Sequence, residues 1–281
     1  MLSPVSLPFL GLFGSGPDSG IVEYPRFRSR EMGKAFKVEV WLPKGMKRGA
    51  CQTCKVLVAN DGQDMRAVHL RSTLDQLMTS GKMGPVLVVA VHAKSRMQDY
   101  GISHRPDYLG RGGLALGYGK FITRELLPYI QREYKTKTGP ANTAIIGFSL
   151  GGLSAFDVAW RSPSQFGAVG VFSGSFWWRS KGYKDGYTDA DRIAIATVAE
   201  SARKPDLRFW FQTGTEDESN DRDKDGVIDA IGDTRDLMAA LARKGYADST
   251  DMIYYEMLGG RHNQETWGKA LPEFLRWWAG R

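Results

Sequence analysis

The segment at residues 141–156, ANTAIIGFSLGGLSAF, constrains this chain more than any other. Apolar and β-branched residues lead into Gly147, Phe148, Ser149, Leu150 and Gly151, and a second apolar run follows. The first run suits a strand buried on both faces of a parallel sheet. A strand that turns sharply into a helix strains the residue at the apex and exposes its side chain. Side chains two places before and after would collide with neighbouring elements, which explains glycine at 147 and 151. Ser149 is thereby expected at the carboxyl edge of a sheet and at a helix N-terminus, where free N–H groups favour negative charge. Such a place suits the oxyanion of acyl transfer.

The remaining segments extend the same pattern. KAFKVEVWLP alternates as a strand does, and KVLVAND and GPVLVVAVHA are continuous apolar runs with a helix expected between them at residues 67–79. LGYGKFITRELLPYIQREY sets Tyr118, Phe121, Ile122, Tyr129 and Ile130 at helical spacing, with a kink expected at Pro128. Strands FGAVGVFSG, LRFWFQTGT and MIYYEML then alternate with helices expected from about Leu150, at residues 233–244 and at residues 264–278. In the last, Trp267, Leu271, Phe274 and Trp278 form one apolar stripe. This order predicts an α/β fold, a mostly parallel central sheet with helices on both faces. The polar stretches at residues 95–113 and 180–191 are expected to be loops over a site. The expected division is an N-terminal arm, residues 1–33, and one domain, residues 34–281.

Charge and cysteine usage exclude some classes. A formal net charge of +7 is spread without a dense basic block, so nucleic acid is not an expected partner. No apolar run reaches the roughly 18 residues of a bilayer span. The opening MLSPVSLPFLGLFGSG has no basic leader, and Pro4 and Pro8 interrupt it; it reads as a flexible arm of a cytoplasmic chain, with secretion or a periplasmic location left open. Cys51 and Cys54, in CQTC, have no second pair or flanking histidines to make a zinc site, and a surface turn is expected.

A serine hydroxyl needs a base to take its proton. When the serine lies on a strand-to-helix turn, the partners follow in the order acid, then histidine. His69, His92 and His104 precede Ser149, which leaves His262 in LGGRHNQETW. GTEDES offers Glu216, Asp217 and Glu218 as the acid, and spacing does not choose among them. Just beyond, NDRDKDGVID places Asp221, Asp223, Asp225 and Asp229 at the first, third, fifth and ninth positions of a calcium loop, with Val227 set to offer its carbonyl. The twelfth position is Gly232 rather than glutamate, so Asp233 or Asp236 would have to supply further oxygens. A structural Ca2+ is expected there, and no cofactor for catalysis.

With these residues in view, the chain resembles the esterase family that includes enterochelin (siderophore) esterases, esterase D and feruloyl esterases, and is most similar to the enterochelin branch. VLVANDGQD, RELLPYIQREYKT, GFSLGGLSAF, SPSQFGAVGVFSGSFWW and GGRHNQETW carry the likeness, over roughly residues 35–280. The resemblance implies an α/β-hydrolase fold, Ser149 as nucleophile, His262 as base and Asp217 as acid. It also implies an oxyanion hole from the backbone N–H groups of Leu150 and Gln63, without the separate N-terminal domain of the larger members. The expected function is hydrolysis of a small or oligomeric carboxylic ester of siderophore, feruloyl or small acyl type. Trp177 and Trp178 stand as a substrate wall or as core. Acyl transfer by the same triad, or a non-catalytic binding module, are the alternatives.

Overall fold

The computed structural model describes residues 12–13 and 20–280 other than 203. Strands β1 (Leu12–Phe13), β2 (Ile21–Ser29), β3 (Lys34–Trp41), β4 (Lys55–Asn60), β5 (Val86–His92), β6 (Thr143–Phe148), β7 (Ala168–Phe172), β8 (Arg208–Glu216) and β9 (Met252–Arg261) form one sheet. Their order is β1-β2-β3-β5-β4-β6-β7-β8-β9. β1, β2 and β3 pair antiparallel, as do β3 and β5, and all pairs from β5 to β9 are parallel. The helices are α1 (Leu70–Thr79), α2 (Arg96–Asp99), α3 (Ala115–Lys120), α4 (Leu127–Tyr134), α5 (Leu150–Arg161), α6 (Ile193–Glu200), α7 (Asp229–Arg243) and α8 (Gln264–Ala279).

Alternation along the buried strands builds a separate core on each face of the sheet. Val56, Val58, Ile145, Phe209 and Phe211 pack with Tyr118, Phe156 and Leu237 on one side. Leu57, Ala59, Ile146 and Trp210 pack with Leu74 of α1 and with Trp267, Leu271, Phe274 and Trp278 of α8 on the other. Three layers result, as the sequence pattern implies, and all four residues of the α8 stripe are buried.

Three expectations need correction. Within the expected arm of residues 1–33, β2 is a sheet strand whose Tyr24 and Phe27 are buried against the core. Its alternation is masked because Pro25 and Arg26 lie where the register with β3 slips between Tyr24 and Phe27, a place that tolerates proline's missing donor. The rest of that arm, apart from the β1 pairing and the turn into β3, lies outside the described residues. The irregularity expected at Pro128 takes the form of a wider helical turn, Phe121–Leu126, inside one continuous helical run over residues 115–134: the Leu127 N–H reaches back to the Ile122 carbonyl just ahead of the proline, which has no N–H of its own. Second, α7 begins at Asp229, before the expected 233. Finally, Cys51 and Cys54 do form a turn, with the Cys54 N–H on the Cys51 carbonyl at 2.8 Å, but both are free and fully buried. The turn tucks against the end of α4 through Cys51 N–H to the Tyr134 carbonyl, so the thiols serve as small apolar groups.

Candidate active site

From β4 the chain crosses to β5 on one side, and from β6 it crosses to β7 on the other. The carboxyl ends of β4 and β6 therefore flank the switch point of the sheet, where open α/β sheets form a crevice. Ser149 sits there, between β6 and α5, with φ 54° and ψ −124°. That conformation is strained for a residue with a side chain and persists only when its surroundings enforce it. The enforcement is visible. A Cβ on Gly147 would lie 2.1 Å from the Gly151 carbonyl oxygen, and one on Gly151 would lie 2.3 Å from Asp61 Oδ2. Ser149 donates its N–H to the Phe172 carbonyl at 2.9 Å, and its own carbonyl accepts from the Ser175 N–H at 3.2 Å. The partner of its Oγ is Ser175 Oγ at 3.3 Å, not the imidazole of His262.

Among the three acids after β8, the geometry separates the roles. Glu216 pairs with Arg261 at 3.0 Å, and Glu218 accepts from Asn220 at 2.8 Å. Asp217 is buried, with Oδ1 3.8 Å from His262 Nδ1. Its Oδ2 accepts from the Gly214 N–H at 3.2 Å and its Oδ1 from Ser173 Oγ at 3.0 Å, while Ser173 in turn accepts from Trp267 Nε1 at 2.8 Å. Burial pushes the Asp217 carboxyl above its ordinary value, opposed by those two hydrogen bonds and by the nearby imidazole. His262 lies between β9 and α8, its ring edge-on to Trp267 at 5.3 Å between centroids. Asn263 caps α8 by accepting from the Thr266 N–H at 3.0 Å, which fixes the loop that carries the histidine.

The two backbone donors expected for the oxyanion lie on adjoining turns. Leu150 is the first residue of α5, so no carbonyl one turn back is available to its N–H. Gln63 lies in the turn after β4, closed by the Asp64 N–H on the Asp61 carbonyl at 2.8 Å. Asn60 Nδ2 joins the two turns by donating to the Gly151 carbonyl at 2.8 Å. Of the two tryptophans after β7, Trp178 is fully buried and a Cβ on Gly112 would lie 3.0 Å from its ring, so it is core. Trp177 is half-buried, with Arg111 5.5 Å over its ring.

In the acidic loop, carboxylate oxygens of Asp221, Asp223 and Asp225 come within 4.8 Å of one another. Asp229 is not among them. It opens α7, accepts from the Arg222 N–H at 2.8 Å and lies 3.2 Å from the Arg222 guanidinium. Asp233 and Asp236, the expected extra oxygen donors, are held by Arg192 at 2.5 and 2.6 Å, and Asp233 also by Arg222 at 2.7 Å. Val227 donates its N–H to Asp225 Oδ1. Arginine, from within the loop and from the residue directly before α6, takes the place expected for a cation at the far side of this loop. Sequence reasoning passed over Arg222 although it stands inside the motif. It also passed over Ser173 and Ser175, although both lie in SGSFWW directly after β7.

A mostly parallel sheet with a strained serine at its switch point, together with a histidine facing a buried aspartate, is an arrangement of the α/β-hydrolase type. The chain belongs to the esterase family whose model, described as "Putative esterase", matches residues 29–278. Among curated relatives it is 22% identical over 212 residues to the uncharacterized protein YbbA of Bacillus subtilis, spanning 74% of this chain and 79% of that one. Among solved structures it is similar to an enterochelin esterase from Shigella flexneri, with a TM-score of 0.72 at 18% identity, covering 94% of this chain. It spans 59% of the length of that esterase. It is also similar to a ferulic acid esterase, with a TM-score of 0.66 at 18% identity, covering 92% and 97% of the two chains.

Proposed function

We propose that the protein hydrolyses a carboxylic ester through an acyl-enzyme formed on Ser149. His262 removes the serine proton as the hydroxyl attacks the ester carbonyl, and Asp217 holds the imidazole and stabilises its charged form. The Leu150 and Gln63 N–H groups receive the oxyanion. His262 then protonates the departing alcohol, and water repeats the steps to release the acid. In the present arrangement Ser149 Oγ rests on Ser175, and the proposed relay requires the hydroxyl to leave that contact for His262 when substrate binds. Catalytic hydrogen bonds of this kind commonly tighten only with substrate bound. No cofactor is needed for this chemistry. The observation that carries the proposal is the enforced strain at Ser149.

The proposed substrate class is an ester with an aromatic acyl group, siderophore- or feruloyl-like. Support comes from the names of the similar proteins and from Arg111 and Trp177 beside the serine loop. Asp221, Asp223 and Asp225 fit a hard cation, and we propose a structural Ca2+ there whose remaining oxygens come from water. Asp229 does not fit that set.

Ser149→Ala tests the reading. Hydrolysis of p-nitrophenyl and feruloyl esters should fall by at least about a thousandfold with the melting temperature little changed. Retained turnover, or labelling of another serine by a fluorophosphonate, would overturn it.

A further inference from the structure

Asp61 is the first residue after β4, adopts a left-handed conformation with φ 57° and ψ 52°, and is fully buried. It opens the turn that carries Gln63. Its Oδ1 accepts from Arg96 Nε at 2.7 Å and from Gln63 Nε2 at 2.9 Å, and its Oδ2 accepts from Arg96 at 3.1 Å. Its N–H donates to Tyr100 Oη at 3.1 Å. Beneath it, Oδ2 occupies the space that a side chain at Gly151 would need. Arg96 and Tyr100 both belong to the stretch at residues 95–113, one on α2 and the other directly after it. Neither is near Asp61 in sequence.

We infer that Arg96 is a positioning residue: its two-pronged bond to Asp61 sets the turn that presents the Gln63 N–H, and it latches the covering loop onto that turn. The inference rests on the proposed role of Gln63 in the oxyanion hole. Two physical arguments support it. An oxyanion hole works only when its donors are held where charge develops, and small displacements cost rate steeply. A bare carboxylate inside the same turn would also oppose the negative charge forming on the substrate oxygen. The guanidinium cancels it and, being planar, matches both carboxylate oxygens at once. Burial pushes the Asp61 carboxyl up, and Arg96 is the chief group opposing that rise.

The surroundings of Asp61 leave Arg96 as its counter-charge. Tyr100 and Tyr118 face it as neutral phenols, both held protonated by full burial. Asp64, in the same turn, adds repulsion. His92 packs against Gly62 but is paired with Glu39 at 3.2 Å. From α5 the backbone at Gly151 approaches.

The test compares Arg96→Gln, Arg96→Lys, Asp61→Asn and the double variant Asp61→Asn/Arg96→Gln with the wild-type chain, using p-nitrophenyl acetate, with Ser149→Ala alongside. Arg96→Gln should lower kcat by roughly 10- to 100-fold, the range expected for a misplaced catalytic group, while KM shifts far less. The loss should deepen as pH rises, because Asp61 then ionises without its counter-charge. Arg96→Lys keeps the charge but not the fork and should recover part of kcat; it also decides the matter should Arg96→Gln not fold. The double variant should lose the added pH dependence and exceed Arg96→Gln in kcat at high pH. Wild-type kcat in Arg96→Gln, or equal losses at every pH with no recovery in the double variant, would overturn the inference while Ser149→Ala is inactive. An active Ser149→Ala would instead overturn the catalytic reading, and this inference with it.

Discussion

In the proposed triad Asp217 meets two demands that oppose each other. Burial between Gly214, Ser173 and His262 raises its affinity for a proton, yet support of an imidazolium needs it ionised. The native state therefore holds that proton more tightly than the unfolded chain does. Its contribution to stability is greatest below the ordinary carboxylate value of roughly 3.9 and is lost as pH rises through the raised native value. Asp217→Asn should accordingly lower kcat/KM at least about tenfold, or about 1.4 kcal/mol, while raising the melting temperature near neutrality. Melting curves from pH 4 to 8 check the sign: the variant's advantage should shrink toward low pH, and a gap independent of pH would contradict the argument. His262→Ala should fall nearly as far as Ser149→Ala, since the two act as a unit. Ser149 and His262 are legible in the sequence because chain order and glycine spacing are local facts. The choice of Asp217 came from family likeness, and its bond to Ser173 and the Trp267 contact span tens of residues that no spacing rule connects.

At the scale of elements, the segment from Asp221 into α7 shows how one side chain redirects a motif. The aspartate spacing reads as a cation loop, but Arg222 turns inward and takes Asp229 and Asp233, leaving three carboxylates outside. Arg222 thus holds the inner part of the segment, and the proposed Ca2+ would hold only the outer carboxylates. Arg222→Ala would leave the buried Asp233 with Arg192 alone and take the guanidinium from Asp229, which keeps only its bond from the residue-222 backbone N–H. A loss of about 2–4 kcal/mol is expected, typical of breaking a largely buried pair. Chelator should act on the outer carboxylates alone and lower the melting temperature by a smaller amount that free Ca2+ restores. Thermal melts of wild type and Arg222→Ala, each with and without chelator, separate the two, and the effects should add because the sites share no ligand. No calorimetric Ca2+ binding and no chelator effect would remove the metal and leave Arg222 as the organiser. The early start of α7 is hidden for the same reason, since the spacing gives Asp229 to a metal rather than to a helix's first turn.

Across the whole molecule, long strongly patterned runs were readable and their order in the sheet was not. Apolar runs identify β4, β5 and β6, but only the fold shows that β5 stands between β3 and β4 and so creates the switch point at Ser149. The same gap hid β2, whose alternation breaks at Pro25. Its position makes it part of the cooperative unit rather than an appendage. Tyr24 and Phe27 are buried, Phe27 packs on Phe121 at 6.0 Å and on Tyr129 at 5.3 Å between centroids, and Tyr24 Oη bonds Tyr134 Oη at 3.0 Å. Deleting residues 1–33 would remove those rings, uncover one edge of β3 and leave the apolar faces of α4 and its preceding turn in water. Each buried aromatic contributes about 3–5 kcal/mol by truncation, and a domain's whole stability is only about 5–15 kcal/mol. The shortened chain should therefore be unfolded or aggregated at 37 °C, and its exposed β3 edge favours association. Phe27→Ala in the full chain gives the graded version, a destabilisation of about 3–5 kcal/mol in urea with the denaturant slope unchanged. A soluble, cooperatively melting chain that begins at Lys34 with wild-type esterase activity would show instead that β2 is dispensable, and that the boundary expected from the sequence alone was right.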